Sequence, residues 1–96
     1  MRAIRRYLVI IETNHASVFD KFYDYFQYST CNFVMIDGEA FLIDSYLEPA
    51  EIVNHFYDNI SKSTKCFVSE ITGEVTWRNS FSGFNKINNF LNNRIR

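Results

Sequence analysis

Apolar positions along the chain keep two rhythms, and the switches between them mark out its elements. Within the stretch Arg5 to Thr13, the run Tyr7-Leu8-Val9-Ile10-Ile11 is unbroken by Gly or Pro and closes on an acid, Glu12. Such a run reads as a fully buried central strand feeding a helix. From about Ala16 to Tyr28 the rhythm changes: Val18, Phe19, Phe22, Tyr25 and Phe26 recur at three- and four-residue spacing, which lays one wide apolar stripe along a helix. Asp20, Lys21 and Asp24 fall on its wet side, and Asn14 or Ser17 is placed to cap its start.

Two more apolar runs follow, Cys31 to Ile36 and Glu39 to Ile43, separated by Asp37-Gly38. An Asp-Gly pair between such runs predicts a hairpin with a type I′ turn, because both central residues there need positive φ. Pro49, the only proline, suits the first turn of a second helix, in which Ile52, Val53, Phe56, Tyr57 and Ile60 repeat the stripe until the pattern stops near Ser61 to Ser63. Lys65 to Thr72 reads as a fourth strand, turned at Gly73 into a short extended piece, Glu74 to Trp77. Phe84, Ile87, Phe90 and Leu91 then suggest a C-terminal helix capped by Ser80 or Ser82, rich in asparagine and so dependent on packing.

The predicted order is β-α-β-β-α-β with a short fifth strand and a helical tail, the ferredoxin-like α+β arrangement. Residues 1–78 would form the domain, and 79–96 a tail packed on it or on a partner subunit. Right-handed crossovers place the Tyr7 and Phe41 strands in the middle, with the Phe33 and Phe67 strands at opposite edges. Cys31 and Cys66 are then three strand spacings apart, on the order of 14 Å and beyond disulfide reach. They read as reduced thiols of a cytoplasmic protein, and without a CxxC or Cys/His cluster no zinc site is expected.

In such a sheet the helices cover one face only, so a wet second face would demand alternation. These strands do not alternate: Tyr7, Val9 and Ile11 oppose Leu8 and Ile10, Phe33 and Met35 oppose Val34 and Ile36, and Phe41 and Ile43 oppose Ala40 and Leu42. Something must cover the second face. A single helix of about 10 Å diameter hides only part of a four-stranded sheet, so a two-fold homodimer is expected, with a monomer closed by its own tail as the alternative.

Composition narrows the class. Ninety-six residues, 47% hydrophobic and 22% charged, suit one compact domain, and no apolar segment is long enough to cross a bilayer. No signal peptide is apparent, and the net charge of −1 gives no overall attraction to nucleic acid. The charges are unevenly spread. Arg2, Arg5 and Arg6 open the chain and Arg78, Lys86, Arg94 and Arg96 lie near its end, around an acidic middle. If the ends meet they form a basic patch; otherwise they are arginines at solvated termini.

The strand ending in Glu12, the Asp37 turn before Phe41-Leu42-Ile43, the helix entry Leu47-Glu48-Pro49-Ala50-Glu51-Ile52 and above all Phe67-Val68-Ser69-Glu70-Ile71-Thr72-Gly73 resemble the SinR-like proteins. These are relatives of the second CRISPR-associated protein of spacer adaptation and, more distantly, of the VapD toxins. The similarity runs from about Arg6 to Trp77. It implies a ferredoxin-like fold, a sheet-to-sheet homodimer, and a strand at Glu74 to Trp77 that adds to the partner's sheet. In family members with nuclease activity, the acid closing the first strand is an aspartate, and its two copies hold a divalent metal across the dimer axis.

Glu12 occupies that position here, one methylene longer, with Ile11 where an aromatic is usual. It is the candidate catalytic and metal-binding residue for Mg²⁺ or Mn²⁺, with His15 as candidate general base and Arg5, Arg6 and Arg78 as candidate phosphate contacts. The plainer readings are a strand-end acid beside a helix dipole and a histidine in a first helical turn. Trp77, next to Arg78 and near Phe81, suits either base stacking or packing. His55 falls on the exposed side of the second helix.

Three function classes stay open: a dimeric binder of DNA or RNA with metal-dependent endonuclease activity, a toxin-like ribonuclease, and a non-catalytic phage or mobile-element protein. The last would inhibit a bacterial defence complex by presenting Asp37, Glu39, Asp44, Glu48 and Glu51 as a nucleic-acid decoy.

Overall fold

The structure is a computed structural model, and it describes residues 2–73 and 90–91. Strand β1 (Arg5–Glu12) leads into helix α1 (Ala16–Ser29), the hairpin β2 (Asn32–Asp37) and β3 (Ala40–Ser45), helix α2 (Pro49–Asn59) and strand β4 (Lys65–Glu70). The four strands form one antiparallel sheet in the order β2-β3-β1-β4. This is the ferredoxin-like α+β architecture, with β1 and β3 central as the crossovers require. The expected fifth strand, the C-terminal helix and Trp77 lie outside the described residues.

Alternation along β1 assigns the two faces. Tyr7, Val9 and Ile11 are fully buried under the helices, in one core with Phe22, Phe26, Phe41, Ile43, Ile52 and Phe56. Aromatic rings dominate that core: Phe22 meets Phe56 edge-on at 4.9 Å and Phe26 lies 4.4 Å from Phe41. Each ring removes a large apolar area from water and gains further from the offset and edge-on geometries.

Local details depart from the sequence pattern. The N-cap of α1 is His15, not Asn14 or Ser17, and no side chain caps it; Thr13 Oγ1 instead accepts a hydrogen bond from the His15 N–H at 3.2 Å. Helix α2 stops at Asn59, short of the serines, and Tyr57 lies exposed rather than within the stripe. Its start is tied by Glu51, whose Oε1 accepts the Glu48 N–H at 3.0 Å. The hairpin turns one residue late: Asp37 pairs with Ala40, so Gly38 and Glu39 sit at its centre, after an irregularity between Met35 and Asp37. The Asp37-Gly38 type I′ turn is therefore not the one formed. Cys31 and Cys66 are both free, near opposite edges of the sheet.

The face away from the helices is divided. Over β2 and β3, Phe90 packs on Val34 and Leu42, with Leu8, Ile36, Ile71 and Leu91 around them. Over β1 and β4, Ile10 and Phe67 stand directly opposite one another and remain 39% and 57% exposed. Between the apolar residues lies a buried ion pair. Arg6 faces Asp44 across the β1–β3 ladder and grips both its oxygens, at 2.8 and 3.1 Å. The same guanidinium lies 4.3 Å over the Phe90 ring and donates to the Phe90 carbonyl at 3.3 Å.

Candidate functional site

Because Tyr7, Val9 and Ile11 point under the helices, Glu12 projects on the opposite face, in line with Leu8 and Ile10. Its cross-strand partner is Lys65, the first residue of β4. Beyond Glu12 the chain leaves the sheet through Thr13 and Asn14 and starts α1 at His15, while Ser63 and Thr64 bring the α2–β4 connection alongside. These seven residues line one open pocket of about 220 Å³ at the end of the sheet. Ser61 fixes the far wall: its Oγ accepts hydrogen bonds from the N–H groups of Ser63 and Thr64 at 3.3 and 3.2 Å and from Thr64 Oγ1 at 2.8 Å.

The fold thus gathers the two residues singled out as catalytic candidates, Glu12 and His15, into one pocket. It adds one that sequence reasoning missed, Lys65. Its signal was its place at the start of the strand antiparallel to β1, which sets it opposite the strand-closing acid only when the register is known. Glu12, His15 and Lys65 are all exposed, and among the described residues no ion pair joins Glu12 to Lys65.

The candidate phosphate-binding arginines are not brought to this pocket. Arg5 pairs with Glu48 at 2.6 Å and approaches Glu70 at 3.9 Å. Arg6, expected on a basic surface, is 9% exposed and locked on Asp44, so its position is a structural one. Arg2 is paired with Glu51. Arg78 lies outside the described residues. The chain ends do approach each other where Arg6 meets Phe90, but the contact buries the charge. Of the five acids of the expected decoy face, Asp44 is buried against Arg6, and Glu48 and Glu51 are each engaged by an arginine.

His55, expected on an exposed side, is half-buried, its ring 4.7 Å from that of Tyr25. Burial pushes the Tyr25 phenol and the Cys66 thiol up from their ordinary pKa values. Glu51 moves the other way, held below the usual carboxylate range first by the Glu48 N–H it accepts and then by Arg2.

A divalent cation asks more than one chain provides. Among the described residues no three His, Cys, Asp or Glu side chains converge. Glu12 is the only carboxylate in the pocket, beside neutral oxygens of Thr13, Asn14, Ser63 and Thr64. Oxygen donors suit Mg²⁺ or Mn²⁺, but such ions are commonly held by one or two carboxylates, water and substrate phosphate. A single chain therefore offers such an ion one carboxylate, Glu12. Among the described residues no helix is long and apolar enough to cross a membrane. Comparison with family models, curated proteins and solved structures finds no match to this chain.

Proposed function

We propose that the protein is a cytoplasmic, homodimeric nucleic-acid-binding protein of the SinR-like type, with slow metal-dependent phosphodiester cleavage centred on Glu12. The observation that carries this reading is one of placement. Glu12, Lys65 and His15 share a pocket that borders the one part of the described sheet face left uncovered, the Ile10–Phe67 pair. A second copy seated on that pair buries the apolar row and brings the two pockets to one side of the dimer. There Lys65 would meet a phosphate oxygen, Glu12 of each copy would hold the metal, and His15, in the same pocket, would serve as proton acceptor. The bound Mg²⁺ or Mn²⁺ would polarise the phosphoryl group and acidify a water. The decoy reading is the less supported of the two, because three of its five acids, Asp44, Glu48 and Glu51, are paired within the chain.

Labelled single- and double-stranded DNA and RNA, incubated with the protein in Mg²⁺, Mn²⁺ or EDTA, test this directly. Cleavage that requires the metal and disappears in Glu12→Ala, with binding retained, is the expected result. Binding without cleavage in the parent chain removes the catalytic half of the proposal, and the absence of both overturns it. Cleavage of RNA alone assigns the ribonuclease form.

A further inference from the structure

The pocket that holds Glu12 has two walls of different kinds. One is the end of β1, fixed by the sheet and continued by Thr13, Asn14 and His15. The other is the connection from α2 to β4, which begins to pair with β1 only at Lys65. Ser63 and Thr64 of that connection line the pocket, whereas Ser61 just before them does not. Ser61 is nevertheless the point at which the connection is tied.

Its backbone is anchored in the core. The N–H groups of Ile60 and Ser61 both donate to the carbonyl of Phe56, at 3.0 Å each, and the Phe56 ring is 1% exposed and edge-on to Phe22 and Tyr25. Its side chain reaches the other way. Ser61 Oγ accepts the N–H of Ser63, the N–H of Thr64 and the hydroxyl proton of Thr64, at 3.3, 3.2 and 2.8 Å, and Ser63 Oγ lies 3.4 Å from it. With three donors on one oxygen, the proton of Ser61 is left for Ser63 Oγ. A short hydroxyl side chain thus takes over the backbone bonding of the turn. The far wall of the pocket runs to the aromatic core through this one residue.

We propose that Ser61 is a positioning residue of the Glu12 pocket: without touching nucleic acid, its hydroxyl holds Ser63, Thr64 and the start of β4 in place, so that Lys65 is presented opposite Glu12 before a phosphate arrives. This role rests on that pocket being where the nucleic acid lies. A wall fixed beforehand spares the complex the entropy of fixing it.

Ser61→Ala removes the oxygen, and Ser61→Asn restores an acceptor for the N–H two residues on without adding charge. In the free full chain, amide hydrogen exchange read by NMR should be faster at Ser63 and Thr64 in Ser61→Ala and slower again in Ser61→Asn. Unchanged rates in Ser61→Ala would overturn the role at once. Fluorescence anisotropy with labelled DNA and RNA, over a salt series, reads the consequence. Ser61→Ala should bind about three- to tenfold more weakly, the cost of ordering one or two side chains on binding. Its slope of log K against log salt should match that of the parent chain, because no cation is lost, and Ser61→Asn should recover the affinity. Ser61→Ala combined with Lys65→Ala should cost less than the sum of the two, since Ser61 acts through that side chain. If Lys65→Ala weakens binding and Ser61→Ala does not, the role of Ser61 falls and the pocket stands. If the parent chain binds neither polymer, or Lys65→Ala is without effect, the pocket reading falls and takes this role with it. Weakening that Ser61→Asn leaves unrelieved would also overturn the assignment.

Discussion

Removing the Asp44 carboxylate is the most informative single perturbation of the fold. Arg6 and Asp44 are 9% and 6% exposed, and the guanidinium makes two carboxylate contacts, one carbonyl contact and a ring contact with Phe90. In Asp44→Ala the arginine is left among Leu8, Val34, Leu42 and Phe90 without its counter-charge. Breaking a buried pair from one side costs about 3–5 kcal/mol, whereas replacing both partners with apolar residues of similar volume is often neutral or stabilising. A domain of this size has a total stability of roughly 5–15 kcal/mol, so the single variant stands close to unfolding at room temperature. The shift is about 4–8 °C per kcal/mol, or on the order of 15 °C or more in all. Asp44→Leu combined with Arg6→Met should recover most of that loss.

Urea unfolding followed by far-UV circular dichroism measures both variants, and the slope adds a second readout. If the clasp on Phe90 is released along with Asp44, less surface is buried in the native state and the m-value falls. The cost of Phe90→Ala should also be smaller in the Asp44→Ala background than in the parent chain, since both belong to one contact set. A loss of under about 1 kcal/mol in Asp44→Ala, typical of an exposed pair, would show that Arg6 simply swings into water. A double variant no better than the single one would refute the buried-charge argument as well.

Two further outcomes follow from the same surfaces. Ile10→Asp with Phe67→Asp should give a monomer in sedimentation at concentrations where the parent chain dimerises, with thermal stability little changed because both positions are exposed in the single chain; a dimer that survives places the interface elsewhere. Glu51 has its folded pKa depressed, so its stabilising contribution is present above the unfolded carboxylate pKa and is lost as pH falls through the lower folded value. Glu51→Gln should lower stability at neutral pH and converge on the parent chain as pH falls below the folded value, flattening the acid limb; an unchanged acid limb would refute the capping role.

The element order was legible because each element has a clear rhythm: an unbroken run in β1, three- and four-residue spacing in α1 and α2, and two runs around a turn in β2 and β3. What escaped depends on register, which one strand alone does not carry. Arg6 and Asp44 looked like ordinary surface charges until β1 and β3 were aligned, when they became direct neighbours on a face closed by Phe90. Lys65 stayed invisible as a companion of Glu12 for the same reason. The helix start was misread because Asn14 and Ser17 are good caps by type, yet the geometry hands the position to His15. His55 and Tyr57 exchanged expectations: the helix turns His55 onto Tyr25 and Tyr57 outward, a rotation that their spacing alone leaves undetermined.

The pairing of the N-terminal arginines sets how strongly this chain can depend on salt when it meets a polyanion. Arg2, Arg5 and Arg6 are engaged by Glu51, Glu48 and Asp44, so they release no counterions from a nucleic acid without first giving up an internal partner. In the proposed pocket the free cation is Lys65, one for each protomer and two for a dimer. Each neutralised phosphate of a duplex contributes about −0.9 to the slope of log K against log salt, so the pocket itself accounts for a slope of about −2. Fluorescence anisotropy with a labelled duplex, read over a salt series, measures this quantity. Lys65→Ala should flatten the dependence almost completely while leaving the fold intact, because the residue is exposed at a strand end. A slope several times steeper that persists in Lys65→Ala would mean that other cations hold the phosphates and that the Glu12 pocket is not where the nucleic acid lies.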